Sequence, residues 1–293
     1  MNQHAIQKVS VLTLVRNRRS QLQNLMTGLL RSQLVPHELV IVYMNEAPYG
    51  DLPILPFPVQ ILSVKDINQK LPLGKARNKA AFHATGDVLL FLDVDCIPSG
   101  NLLEEMLRVQ QEKPGLWMGN LRYLRKGWQN EYETEADLIQ QSVLHPDRPH
   151  VTEGERLMME DYGYFWSLCF SITPVDFATI GGFDEQFRNY GAEDTDFGFT
   201  AREKGIPFGL ISAYCYHQYH PVCRPPLNNF DSIITNAAIF KDKWGHWAMG
   251  SWLKDFSDSG YIQWTPDSHE IIIQREPTEA DVANAVEDNG KGF

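Results

Sequence analysis

After Gly86-Asp87 the chain runs Val88-Leu-Leu-Phe-Leu92 with no polar alternation and stops at Asp93-Val94-Asp95. A strand that buries one face alternates apolar with polar residues. A run without alternation must be covered on both faces, as in the centre of a parallel sheet sandwiched by helices. Neighbouring segments repeat the form. Val9-Ser-Val-Leu-Thr-Leu-Val15 ends in Arg16-Asn17-Arg18-Arg19, and Leu22, Leu25, Met26, Leu29 and Leu30 then recur at helical spacing. Glu38-Leu-Val-Ile-Val-Tyr43 predicts a second strand ending at Met44-Asn45-Glu46, and a Pro-rich connection leads to a short strand at 59–63. A helix is expected over 72–85, with Gly86 as its stop. Three strand-helix units in succession predict an open, mostly parallel, twisted α/β sheet flanked by helices, with ligands beyond the carboxyl ends of its strands. Arg16 to Arg19, Asn45-Glu46 and Asp93 to Asp95 are the polar loops that converge there.

Further on, a helix is expected near 101–112 and a strand near 117–121, while 125–164 loses period and gathers charge, which predicts a mobile or partly helical insertion. A strand at 166–173, a turn at Gly181-Gly182-Phe183-Asp184-Glu185, a helix from Glu193, a strand at 208–217 and an amphipathic helix at 231–244 follow. Beyond Glu276 the polar tail reads as disordered. With 293 residues, 43% of them hydrophobic, the chain can bury one large core. It is expected to form one domain over 1–275: a ligand-binding half at 8–122, the insertion at 123–165, a second half at 166–260, and a separate tail at 276–293.

A net charge of −11 has the wrong sign for a chain whose main partner is a nucleic-acid backbone, so any phosphate must be met by local groups. No apolar stretch approaches the roughly 20 residues that span a bilayer. Residues 1–8 are polar and lack an apolar leader region, so a cytoplasmic location is the expectation. Cys96, Cys169, Cys215 and Cys223 show no zinc-ligand spacing and are expected as free, mostly buried thiols. Trp244, Trp247 and Trp252 suit core packing or peripheral contact with a membrane; Gly245 and Gly250 interrupt the helix and favour packing.

Three constellations carry chemistry. Asp93 and Asp95 point the same way from the end of a buried strand and repel each other unless a cation sits between them. A hard divalent metal bridging to diphosphate oxygens resolves that repulsion. Glu193-Asp194-Thr195-Asp196 opens a helix just after a double glycine and an aromatic turn. Acids suit a helix N-terminus, but that preference explains only one or two of the three and not the glycines. His217-Gln-Tyr-His220 closes a strand on the side where ligands collect, which suits a metal site.

Taken in order, residues 9–18, Ala76-Arg77-Asn78, the segment from Gly86 to Asp95, Gly182-Phe-Asp-Glu-Gln-Phe187, Glu193-Asp194 and His217 resemble the GT-A family 2 glycosyltransferases. The later part is similar to the carboxy-terminal region of the β-1,4-galactosyltransferases and polypeptide GalNAc-transferases, and the likeness covers residues 8–255. The resemblance implies a GT-A fold with a helical C-terminal extension. It also implies a nucleotide-sugar donor, with UDP-hexose or UDP-N-acetylhexosamine favoured and GDP-mannose open, and a glycan or glycoconjugate acceptor. Mn²⁺ or Mg²⁺ would be the cofactor. Carried over residue by residue, Asp95, His217 and Asp93 form the metal set, with His220 in reserve, Asp95 ligating directly and Asp93 lying against ribose and the metal-bound diphosphate. Asp194 falls at the base of inverting members. Glu193 and Asp196 orient the acceptor or hold the loop, and Trp166 stacks on a sugar face. Arg16, Asn45, Arg77 and Asn78 line the nucleotide site, although Asn45-Glu46 departs from the usual acid there.

Two other readings share these features. A sugar nucleotidyltransferase would use a Gly-rich basic loop after the first strand, whereas Val15-Arg-Asn-Arg-Arg-Ser20 has no glycine. A non-catalytic carbohydrate-binding protein on the same fold would have no reason to keep Asp93, Asp95, Glu193, Asp194 and His217 together.

Overall fold

The computed structural model describes residues 8–66, 68–288 and 290. Residues 1–7, on which the reading of the N-terminus rests, lie outside them. The first half follows the predicted units: β1 (Val9–Val15), α1 (Arg19–Leu30), β2 (Glu38–Met44), β3 (Val59–Val64), α2 (Leu73–His83), β4 (Val88–Leu92), β5 (Cys96–Pro98), α3 (Leu102–Glu112) and β6 (Leu116–Leu124). Every residue of β1, β2 and β4 is buried, as the missing alternation requires. Alternate residues serve opposite covers. Val11, Val15, Ile41, Leu90 and Leu92 pack under α1 and α3 with Leu25, Met26 and Met106. Leu12, Leu14, Val40, Leu89 and Phe91 pack on the other face with Ala76 and Ala80 of α2.

Residues 125–164, expected as an insertion, carry α4 (Glu135–Gln140), β7 (Ser142–Leu144) and β8 (Arg156–Met159). They are built into the fold: β7 pairs with β6, and β8 pairs with a later strand. Three- and four-residue strands flanked by charge leave no readable period, which is why the segment looked irregular. Then come β9 (Cys169–Ile172), α5 (Pro174–Ile180), α6 (Glu193–Glu203) and β10 (Phe208–His217). The main sheet runs β3-β2-β1-β4-β9-β6-β10-β5. β1, β2, β3, β4, β6 and β10 share one direction while β9 runs against them, so the carboxyl ends that carry the polar loops lie along one edge.

The remainder is β11 (Val222–Cys223), α7 (Phe230–Trp244), α8 (Gly250–Asp258), β12 (Ile262–Gln263), β13 (Ile272–Ile273), α9 (Glu279–Asn284) and β14 (Val286–Glu287). Within the tail, residues 276–288 are ordered where their polarity suggests disorder, and 289 and 291–293 lie outside the described residues. Thr278 and Asp281 form a capping box that starts α9, and β14 pairs antiparallel with β11. Ion pairs of Asp281 with Arg275 and of Asp288 with Lys126 fix its two ends. Two or three polar contacts of this kind order a short segment that composition alone leaves undecided.

The three tryptophans pack against the protein core, Trp247 and Trp252 on one apolar cluster and Trp244 on another. Trp244 packs edge-on to Phe199, Trp247 to Trp264, and Trp252 stacks on Tyr190. Among the described residues no helix is long and apolar enough to cross a membrane. All four cysteines are free, and three of them are buried.

Candidate functional site

The register of β10 against β5 builds the first part of the site. His217 stands opposite Cys96, and the Gln218 amide donates to the Asp95 carbonyl at 2.6 Å, which lays the 217–220 segment beside the end of β4. The buried Gln218 side chain accepts from Asn24 at 2.7 Å and donates to the Gln21 carbonyl, fastening the same loop to α1. As a result His217 Nε2 lies 3.7 Å from Asp95 Oδ1 and His220 Nε2 lies 3.8 Å from Asp95 Oδ2.

One ligand atom from each of the three falls within 4.8 Å of the others. These gaps are too long for hydrogen bonds and match the separations of ligands held about 2.1 Å from a common ion. His217 Nδ1 is buried with no hydrogen-bond partner, and burial pushes the ring's pKa down, toward the neutral form that binds metals. One carboxylate and two imidazoles therefore fit a divalent cation. His220 enters the set on equal terms with His217, and Asp93 stands outside it.

Asp93 belongs to a second cluster. Arg77, on the inner face of α2, has a side chain only 4% exposed; NH1 contacts Glu193 Oε1 at 3.2 Å and NH2 contacts Asp93 Oδ1 at 3.5 Å. Its guanidinium carbon lies 4.9 Å from the Phe183 ring centroid. Asp93, just past the end of β4, leaves 34% of its side chain open. Desolvation is the largest influence on it. Arg77 opposes that effect while Asp95 and Glu193 add to it, and its pKa is pushed up to about 6.

Glu193 and Asp194 open α6 after Ala192, which adopts a left-handed φ of 68°. That turn lets Glu193 and Asp194 emerge together, with Asp194 Oδ1 accepting from the Thr195 amide at 2.8 Å. Burial first, and the neighbouring Glu193 charge second, push Asp194 up to about 7.

Several expected nucleotide and acceptor residues make contacts that hold the frame of the site. Asn78 donates to the Phe183 carbonyl at 2.9 Å and accepts from the Phe183 amide at 2.8 Å, clamping the 181–185 turn to α2. Asn45 adopts φ 56°, a conformation Asn tolerates, accepts from the Asp66 amide and donates to the Lys70 carbonyl. This accounts for Asn where the resemblance led to an acid. Arg16 donates to the Gln69 carbonyl at 2.8 Å. Asp196 points into the protein, where Lys243 and Trp244 both bind it at 2.8 Å, locking α6 to α7.

Trp166 has Arg148 over its ring at 3.4 Å and His145 at 5.4 Å, so one face expected to hold a sugar holds a guanidinium. Arg148 and Tyr190 escaped the sequence reading. Tyr190 is exposed and stacks on Trp252, and desolvation of its hydroxyl together with the nearby Asp194, Glu193, Asp93 and Asp95 carboxylates holds its phenol above the usual range. Its position directly before Gly191 and the acidic trio was the available signal; Arg148 had none.

Residues 10–166 match the model of glycosyl transferase family 2. The chain belongs to this family. A second model, described as the N-terminal domain of galactosyltransferase, matches 150–221. Among curated family relatives, the uncharacterized glycosyltransferase YfnE of Bacillus subtilis (strain 168) is 22% identical over 82% of this chain and 71% of its own length. The validoxylamine A glucosyltransferase of Streptomyces hygroscopicus subsp. jinggangensis is 43% identical, over only 27% of this chain and 19% of its own. Among solved structures, S. aureus TarS superimposes with TM-score 0.56 at 16% identity, covering 80% of this chain and 66% of that one. GalNAc-T7 with UDP, GalNAc and Mn²⁺ gives TM-score 0.54 at 13% identity, covering 74% and 45%. These neighbours share the GT-A fold with this family 2 chain.

Proposed function

We propose that this family 2 chain is an inverting transferase that moves a sugar from a UDP-hexose or UDP-N-acetylhexosamine donor to a hydroxyl of a glycan or glycoconjugate, with Asp194 as general base. The observation that carries the reading is the half-buried position of Asp194 at the start of α6, directly beside the buried Glu193. An ordinary aspartate, with a pKa near 3.9, is a poor base toward an alcohol. Raised to about 7, Asp194 is matched to proton transfer at neutral pH. Asp194 takes the hydroxyl proton as the acceptor oxygen forms its bond to the anomeric carbon from the face opposite the leaving group. The carbon–oxygen bond to the diphosphate breaks, and the electron pair leaves with the nucleoside diphosphate. A glycosidase needs a second carboxyl group to protonate its leaving oxygen; a diphosphate does not.

Arg77 holds Glu193 and Asp93 in place, so Asp194 keeps a fixed negative neighbour and Asp93 faces the donor. Asp95, His217 and His220 would hold the metal, and two imidazoles favour Mn²⁺ over the oxygen-preferring Mg²⁺. A bound ion supplies charge neutralisation at the diphosphate. The UDP held by TarS in one structure and the UDP and Mn²⁺ in that of GalNAc-T7 support the same donor chemistry. The test compares Asp194→Asn with Asp95→Asn. The first should lose transfer by about 100-fold or more and still bind UDP normally; the second should lose metal-dependent UDP binding. Near-normal turnover in Asp194→Asn would sink the base assignment.

A further inference from the structure

Arg148 lies in the segment between β7 and β8, outside every motif that shaped the sequence reading. Its NH1 donates to the Tyr164 carbonyl, while Nε and NH2 are buried and have no hydrogen-bond partner. It forms none of the ion pairs found among the described residues. A buried guanidinium with two orphaned donors is costly to keep unless a ligand completes it. Stacking alone does not explain it, because a cation packed over Trp166 for its own sake would gain by leaving Nε and NH2 in water.

Its surroundings say where the missing partner sits. Rings step from the metal cluster to this arginine: His217 to Tyr123 at 5.0 Å, Tyr123 to His145 at 5.5 Å, and His145 to Trp166 at 5.4 Å, with Arg148 stacked on Trp166. Tyr123 and Asp194 are both close enough to act on it electrostatically. Ring contacts therefore connect Arg148 with the Asp95–His217–His220 cluster, and the charge of the base also reaches it. The leaving group of the reaction proposed above is an anion that belongs beside the same metal cluster and base, and it is the partner these orphaned donors suit. Stacking fixes the plane of the fork, which presets two parallel N–H bonds to phosphate oxygens.

We propose that Arg148 binds the donor diphosphate, with Nε and NH2 donating to its oxygens from the wall of the cleft. The assignment rests on the donor reading of the preceding section. Burial brings the guanidinium pKa down to about 10, which leaves it cationic at neutral pH. The assignment also gives the segment 125–164 a part in the chemistry: its strand pairing holds one charge in place. As the new bond forms and the diphosphate departs with its electron pair, Arg148 meets the charge that develops on the leaving oxygens.

The test measures dissociation constants of the full chain by calorimetry in Mn²⁺, for UDP and GDP and then for the monophosphate of whichever binds. Wild type is compared with Arg148→Gln and Arg148→Lys. Arg148→Gln should weaken diphosphate binding by about 10- to 100-fold and monophosphate binding by much less. Arg148→Lys, which keeps the charge but not the fork, should fall between. Equal losses for both nucleotides in the two variants, or no loss in either, overturns the assignment while leaving the donor reading intact. A wild-type chain that binds neither diphosphate overturns both.

Discussion

Replacing Arg77 by Gln tests the electrostatic frame of the site most directly. The side chain is 4% exposed, with carboxylate oxygens at 3.2 and 3.5 Å. At an effective dielectric constant of about 20, each contact is worth about 5 kcal/mol before desolvation. Asp93 is a third exposed, so water screens its share. Loss of one partner from a buried pair nets about 3–5 kcal/mol, a large part of the total stability of a typical domain. The effect should depend on pH, with a definite sign. Asp93 and Asp194 already sit near 6 and 7 although Arg77 lowers both. Without Arg77 their folded-state values rise further above the unfolded value near 3.9. An acid raised in the folded state supports stability at low pH and loses that support as pH climbs through its folded value. The deficit of Arg77→Gln should therefore be about 1–2 kcal/mol near pH 5 and about 3–5 kcal/mol near pH 8. Urea unfolding followed by tryptophan fluorescence at both pH values measures it, with Arg77→Lys as the charge-preserving control. A deficit under about 1 kcal/mol, or one equal at the two pH values, refutes the reasoning.

The acid limb of kcat/KM should rise with pH through about 7, because Asp194 must lose its proton to act, and Glu193→Gln should move that limb downward; a flat profile between pH 5.5 and 8.5 removes Asp194 from the role. His220→Ala should weaken Mn²⁺-dependent UDP binding at least about tenfold; unchanged binding in a titration of the metal would leave His217 and Asp95 as the ligands. Gly182→Ala forces a side chain into φ 76° with its Cβ 2.6 Å from Asn78 Oδ1, and should cost about 1–3 kcal/mol in thermal denaturation; a loss below about 0.5 kcal/mol would mean the turn is not clamped as described.

Some features were legible in the sequence because they depend on neighbours along the chain. The unbroken apolar run of β4 requires two covered faces wherever it folds, and the helical recurrence of Leu22, Leu25, Met26 and Leu29 requires a helix over one of them. Asp93 and Asp95 at the strand end, the acidic opening of α6 and the histidines at the end of β10 could each be named for the same reason. Their roles depended on what faces them across the cleft.

Only the tertiary structure could separate Asp93, paired with Arg77, from Asp95, which meets both histidines. It alone turned Asp196 and Asn78 into structural fasteners, and it alone brought Arg148 from an aperiodic segment onto Trp166. Periodicity follows from local geometry and survives in one dimension. Ion pairing and desolvation are set by distances between residues more than a hundred positions apart, as with Arg77 and Glu193, and exist only once the sheet has closed.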